Sequence, residues 1–110
     1  MVQHSRLDAS FAALSDPTRR GILEHLGRTD ATVSELAERF EMTLTGITKH
    51  LRLLEDAGMV VTEKRGRVRH CRLGTNPFDR ELAWIRGHQL EIEGRLDRLG
   101  QFLNRMEEKR

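Results

Sequence analysis

The stretch "TVSELAERFEMTLTGITKHLRLLEDAGMV", residues 32–60, predicts two short amphipathic helices joined by a tight turn. Thr32 and Glu35 have the spacing of a capping box, in which two side chains pair with backbone N–H groups at a helix start. Thr43 is the predicted N-cap of the second helix, and Gly58 is placed to end it in the left-handed conformation. Because only "EMT" separates the two helices, the segment predicts a helix-turn-helix.

The second of these helices has two opposite faces of different chemistry. At 100° per residue, one face is apolar and predicted to lie in the core, and it carries Leu44, Ile47, Leu51 and Leu54. The opposite face carries Thr45, Thr48, Lys49 and Arg52. Hydroxyl, ammonium and guanidinium groups are the ones that contact phosphate oxygens and base edges in a DNA major groove. This polar face therefore predicts a DNA-binding surface, the alternative being an ordinary solvated face.

Residues 59–73, "MVVTEKRGRVRHCRL", are rich in β-branched side chains and predict a two-stranded hairpin with Arg65, Gly66 and Arg67 at its tip. Residues 43–72 contain 7 basic and 3 acidic residues, whereas the whole chain has a net charge of only +2. Cations on the hairpin can reach DNA phosphates, and the candidates are Lys64, Arg65, Arg67 and Arg69. A helix-turn-helix followed by a hairpin is a winged helix, so we expect a mainly α protein of the α+β class.

Helical segments are predicted on both sides of the winged-helix motif. A short helix around Leu7 and Phe11 precedes a second one, which has Asp16 as N-cap, Pro17 at its first position and Gly27 at its end. The last helix is predicted to start with Asn76 as N-cap and Pro77 at its first position. Its seam residues alternate at intervals of four and three, as in a coiled coil, and are Phe78, Leu82, Ile85, Gln89, Ile92, Leu96, Leu99, Leu103 and Met106.

The predicted last helix is too long to be covered by one small domain. About 30 residues at 1.5 Å per residue give a length of about 45 Å. We therefore expect its apolar face to pack against a second copy of the chain, with the first helix alongside. The predicted dimer interface consists of Phe11, Leu82, Ile85, Gln89, Ile92, Leu96, Leu99 and Leu103.

Length and composition exclude several other classes of protein. The chain has 110 residues, enough for a single domain, with the helix-turn-helix and wing at residues 8–75 and the dimerisation helix at residues 76–110. The sequence has no apolar run of membrane-spanning length and no signal peptide, so we expect a cytoplasmic protein. Cys71 is the only cysteine, which excludes an intrachain disulfide and a multi-cysteine metal cage. No nucleophile, carboxylate or phosphate-loop motif points to an enzyme, and we expect no cofactor.

Three segments in fixed order resemble the ArsR-type winged-helix repressors over residues 10 to about 75: "LSDPTRRGILEHL", residues 32–60 and "KRGRVRHCRL". The resemblance implies a homodimer that binds pseudo-palindromic operator DNA and releases it when a signal binds. By position it assigns the DNA contacts to the wing at Arg65 to Arg69 and to the recognition-helix residues Thr43, Thr45, Thr48, Lys49, His50 and Arg52. His50 lies nearer the apolar face than the others, so packing is the alternative role for it.

The chain departs from the metal-sensing members that it resembles. Members that sense soft metals carry paired cysteines in the helix before the recognition helix, where this chain has "SELAERF". His88 and Glu91 match half of the zinc site of other members, but Thr75 and Pro77 stand at the remaining positions. We therefore expect a repressor that a non-metal or unknown signal releases. The alternatives are a metal-responsive repressor that uses the partial His88/Glu91 site and a protein-interaction module without specific DNA binding.

Two further residues in this sequence are given structural rather than sensory roles. Cys71 has no second cysteine near it and is expected to be a small buried hydrophobe, not a redox sensor. Trp84 in the last helix is expected to lie in an interface or core, not to form a ligand platform.

Overall fold

The structure is a computed structural model that describes residues 2–108, with side chains from residue 6 onward. Five helices and three strands occur in this part of the chain: α1 (Val2–Leu14), α2 (Pro17–Leu26), β1 (Ala31–Thr32), α3 (Val33–Arg39), α4 (Leu44–Asp56), β2 (Val60–Arg65), β3 (Val68–Leu73) and α5 (Asp79–Glu108). This is a winged helix-turn-helix followed by a long helix, as predicted. The chain divides into two compact units, one ending at Asp79 and the other starting at Arg80. That these form one domain stays a prediction.

The starts of α2, α3 and α4 are fixed by the predicted capping side chains. Asp16 accepts a hydrogen bond of 3.0 Å from the backbone N–H of Arg19. The capping box at α3 is complete, because the Glu35 N–H donates to Thr32 Oγ1 and the Thr32 N–H donates to Glu35 Oε1. Thr43 Oγ1 accepts from the Gly46 N–H at 3.0 Å. Each cap satisfies an N–H group that the helix itself leaves unpaired, so local sequence fixes where these helices begin.

Two glycines allow the chain to reverse direction after α4 and within the wing. Gly58, just after α4, has φ 75°, in the left-handed region predicted for it. Gly66 has φ 64° and, with Arg67, forms the two-residue loop between the paired residues Arg65 and Val68. A positive φ at the first central position is typical of a type II′ turn, whose twist suits a hairpin.

The sheet has one strand more than the predicted hairpin. Its order is β1-β3-β2, and both strand pairs are antiparallel. β1 places Ala31 opposite Cys71 and Thr32 opposite His70, so β3 is the central strand. A strand of two residues has no periodicity of its own, which is why the sequence did not predict β1. The pairing ties the segment before α3 to the wing.

The core of the unit that ends at Asp79 lies between the helices and the inner face of the sheet. Its fully buried side chains come from every layer: Ser10, Ile22, Leu36, Ile47, Leu54, Met59 and Cys71. On α4, Ile47, Leu51 and Leu54 are buried as predicted. The prediction for Leu44 is wrong, because its side chain is 56% exposed. Leu44 is the first residue of α4, where the helix extends past the edge of the core.

The unit that starts at Arg80 is the long helix. α5 begins at Asp79, not at Pro77 as predicted, since residues 75–78 form bends and turns. Among the described residues no hydrogen bond from the Asn76 side chain holds a helical turn at that point. The helix has 30 residues, as expected, and no helix within residues 2–108 is both long and apolar enough to cross a membrane.

Candidate nucleic-acid interface

The polar face of α4 is open to solvent. Thr43, Thr45, Lys49 and Arg52 are exposed, and Thr48 is half-buried. The opposite face is anchored in the core by Ile47, Leu51 and Leu54. Because a buried apolar side fixes the rotation of a helix about its axis, the hydroxyls and the two cations are held outward together.

His50 lies apart from this exposed face. Its Nδ1 atom is 3.2 Å from Nη1 of Arg19 and 3.8 Å from Oδ2 of Asp16. A guanidinium group only donates hydrogen bonds, so Nδ1 accepts and the neutral ring carries its proton on Nε2. The structure therefore brings the predicted DNA contact His50 together with residues at the start of α2, in agreement with the packing alternative.

The acidic member of this cluster is held in its charged form. The backbone N–H of Arg19 lowers the pKa of Asp16, and the positive charge of the Arg19 guanidinium adds to this effect, while partial burial opposes it. The same carboxylate caps α2, so the negative charge also lies at a helix N-terminus, where it is favourable.

The four predicted cations of the wing divide between its two faces and its tip. Strand pairing places Lys64 opposite Arg69 and Thr62 opposite Cys71, and alternation puts these four residues on one face. Cys71 is buried, so this face is turned towards the core.

Arg65 belongs to the other face of the wing and forms an exposed ion pair of 3.1 Å with Glu63, worth about 0–1 kcal/mol. Arg67 lies in the turn.

A small polar cleft of about 230 Å³ separates α4 from the wing, lined by Val33, Thr48, Leu51, Arg52, Glu55, Thr62 and Arg69. Arg69 Nη1 donates to Thr62 Oγ1 at 3.0 Å, and Thr62 Oγ1 donates to Glu55 Oε1 at 2.7 Å. This chain of hydrogen bonds joins both wing strands to the last turn of α4. Neither Glu55 nor Thr62 is among the site residues predicted from the sequence, and the one signal that could have pointed to them is an acidic residue within the basic segment 43–72.

Cys71 is a buried structural thiol, as predicted. Its side chain is 0% exposed, and burial raises its pKa from 9.0 to about 11. The nearby carboxylate of Glu55 raises the pKa of Cys71 further, and Arg69 opposes this. Since the thiolate is the reactive form, the thiol is protonated and shielded at neutral pH.

The histidine of the partial zinc motif makes other contacts. His88 Nδ1 is 3.0 Å from the Trp84 carbonyl oxygen, and the two rings are stacked with centroids 4.0 Å apart. Within residues 2–108, no group of three or more His, Cys, Asp or Glu side chains is arranged to hold a metal ion.

The predicted dimer-interface residues of α5 lie on an open helix face. The apolar members are all exposed: Leu82, Ile85, Ile92, Leu96, Leu99 and Leu103. Gln89, the polar member of the seam, donates a hydrogen bond of 3.2 Å to Glu93 one turn later. Phe11 on α1 is half-buried.

A capped helix-turn-helix, a cationic outward face and a basic wing define a winged-helix DNA-binding protein. A family model described as a helix-turn-helix domain matches residues 14–63. The transcriptional repressor SdpR of Bacillus subtilis (strain 168) is 33% identical over 75 residues, which cover 68% of this chain and 83% of the repressor.

Solved structures give the same result. The structure of the ArsR family transcriptional regulator RHA00566 is 46% identical, covers 81% of this chain and 92% of its own, and superposes with a TM-score of 0.75. The winged helix-turn-helix domain of Mb0332 from Mycobacterium bovis, described as homodimeric, has 23% identity and a TM-score of 0.63, with coverage of 84% and 82%. This chain belongs to the ArsR family of winged helix-turn-helix transcriptional regulators.

Proposed function

We propose that this regulator is a homodimeric, sequence-specific repressor that binds a pseudo-palindromic operator. In each copy the polar face of α4 enters the major groove, and the wing contacts the DNA backbone. The observation that carries the proposal is the exposed row of hydroxyls and cations on α4, which an apolar face buried in the core holds outward. Thr43 and Thr45 present short hydroxyl donors and acceptors near the helix N-terminus, the end that reads base edges in helix-turn-helix proteins. Lys49 adds an ammonium donor one turn after Thr45.

The wing supplies phosphate contacts in this proposal. Arg67 in the turn is exposed, and Lys64 and Arg69 share the face directed towards the helices. Arg65 contributes less, because its ion pair with Glu63 offsets its charge. Each phosphate neutralised by a cation steepens the fall of affinity with salt.

Two observations support a dimer. The seam of α5 leaves seven apolar side chains exposed between Leu82 and Met106 at coiled-coil spacing, and burying such a stripe favours association. The Mycobacterium bovis domain of the same fold is described as homodimeric. Dimer symmetry would place two half-sites about one helical turn apart.

We further propose that the releasing signal is not a transition metal bound through thiolates. This rests on the helix before the recognition helix, where "SELAERF" carries no cysteine, and on the burial of Cys71.

The test is fluorescence anisotropy with DNA from the promoter region of the protein's own gene and with unrelated DNA of equal length. Lys49→Ala combined with Arg52→Ala should weaken binding and flatten the dependence of log affinity on log salt by about one unit per lost phosphate contact. Arg98→Ala with Arg105→Ala is the matched control, since it removes the same charge from exposed positions of α5. Equal effects of the two double variants would assign the loss to overall charge and contradict the proposal, as would equal affinity for the two DNAs.

A further inference from the structure

The Arg19 side chain joins three helices through its three donor nitrogens. Its Nε donates to the Ala13 carbonyl at 2.9 Å, and its Nη2 donates to the Ala12 carbonyl at 2.9 Å. Both carbonyls lie in the last turn of α1, where they lack partners four residues later in the helix and a cation is favourable. The Ala12 carbonyl also accepts from the Ser15 N–H at 3.1 Å and from the Ser15 hydroxyl at 2.6 Å. The third nitrogen, Nη1, reaches His50 Nδ1 on α4 at 3.2 Å.

The Asp16 carboxylate fixes the position of the Arg19 backbone, from which the side chain extends. It caps α2 through the Arg19 N–H and lies 3.8 Å from His50 Nδ1. The Arg19 backbone is therefore bonded to the cap of α2, while the planar guanidinium group of its side chain contacts two acceptors on α1 and one on α4. A lysine ammonium could not reproduce this arrangement, because its donors radiate from a single point.

We propose that His50 is a positioning residue for the recognition helix: it acts through Arg19 to hold α4 against the end of α1, and does not contact DNA itself. The inference rests on the proposed DNA-binding function and deepens it. Its basis is the direction of the hydrogen bond, since Nδ1 is used as an acceptor inside the protein. The His50 side chain is also only 19% exposed, which limits the access of its Nε2–H to a phosphate.

The geometry gives a test that separates the two nitrogens. Asparagine places its amide oxygen close to the position of Nδ1, whereas glutamine places its polar atoms close to the position of Nε2. His50→Asn should therefore keep promoter binding within about twofold of the wild-type affinity. His50→Gln and His50→Leu should each weaken it by about tenfold, the equivalent of one hydrogen bond to a charged group.

Helix propensity works against this expected order. Asparagine is the poorer helix former of the two amides by some tenths of a kcal/mol, so better binding by His50→Asn would not arise from helix stability. Because a positioning role removes no phosphate contact, the slope of log affinity against log salt should stay unchanged in all three variants.

Arg19→Met extends the test to the other side of the contact. Combined with His50→Leu it should bind no more weakly than Arg19→Met alone, because Arg19→Met has already broken the contact with His50. If Arg19→Met does not fold, the His50 series still decides the question. Wild-type binding tests the proposed function by itself. With wild-type binding intact, tight binding by His50→Gln, weak binding by His50→Asn, or a salt slope reduced by about one would overturn the inference.

Discussion

α4 and α5 are both amphipathic helices, but their apolar faces end in opposite environments. On α4, Ile47, Leu51 and Leu54 are buried by the rest of the winged helix. On α5, the apolar seam residues are exposed, and Leu96 reaches 61%. An apolar stripe indicates that a helix face packs against another element, and the spacing along the stripe indicates which kind of element suits it. The 3.6-residue pattern of α4 suits a small core, whereas the regular heptads of α5 suit another helix of equal length.

The largest expected effect is on the α5 side of this comparison. Leu96→Arg would place a charge in the seam twice per dimer, and an unpaired buried charge costs about 3–5 kcal/mol. We expect dimer dissociation to rise at least about a thousandfold, the equivalent of about 4 kcal/mol, with a parallel loss of operator affinity. Sedimentation velocity over a range of concentrations measures the dissociation constant.

Leu90→Arg is the control for that experiment. Leu90 is on the same helix and is also exposed, but it lies outside the seam. It should sediment like the wild-type protein. An unchanged dimer for Leu96→Arg would show that the α5 seam is not the interface. The proposed difference between the two helices, in which a second copy covers α5 and the core covers α4, would then be wrong.

The next largest effect concerns the α4 side. Leu54 is fully buried, so Leu54→Ala should leave a cavity and lower the free energy of unfolding by about 2–5 kcal/mol. The neighbouring Leu53 is exposed, and Leu53→Ala should change the free energy of unfolding by less than about 1 kcal/mol. Urea unfolding followed by circular dichroism compares the two. Equal losses would mean that the apolar face of α4 is not held by the core.

The parts of the fold that the sequence predicted are those decided within a few residues. Asp16, Thr32 and Thr43 begin their helices as expected, because each cap bonds to an N–H only three residues away. Gly58 has its predicted left-handed backbone, which also depends on local sequence because only glycine adopts this conformation without steric cost. The exposed polar face of α4 follows from helical spacing along its 13 residues, which is also local.

The parts that the sequence missed depend on residues distant along the chain. β1 exists because Ala31 pairs with Cys71, and no pattern in two residues could indicate this. His50 and Arg19 are 31 positions apart in the sequence. The spacing of His50 on α4 predicts that it lies near the apolar face, but it does not predict which residue it contacts. At Asn76 a good local start signal did not begin a helix, and α5 starts three residues later. Such contacts follow from the packed arrangement of elements.

A smaller effect is expected from the thiol that shares the core with α4. The pKa of Cys71 is about 11 in the folded protein against 9.0 ordinarily, so an unfolded chain loses this proton first as the pH rises. The protonated thiol contributes fully to the free energy of unfolding below pH 9. This contribution falls by about 2–3 kcal/mol between pH 9 and 11. The difference in unfolding free energy between wild type and Cys71→Ala, measured by urea titration, should shrink over this range. A difference that stays constant from pH 8 to 11 would mean that the thiol is not shielded.

The smallest effect concerns the last turn of α4, where Glu55 contacts the wing. Thr62→Val removes the hydroxyl that joins Arg69 to Glu55 but keeps the shape of the side chain. We expect operator affinity to fall about fivefold, the equivalent of about 1 kcal/mol, because the wing loses one fixed contact with the recognition helix. Thr62→Ser keeps the hydroxyl and should bind like wild type in the anisotropy assay. The free energy of unfolding should change little in either variant, since the contact is exposed and the leucines of α4 stay buried. If the valine and serine variants bound DNA equally well, the hydrogen bonds across the cleft would not position the wing, and the core contacts of α4 alone would account for its orientation.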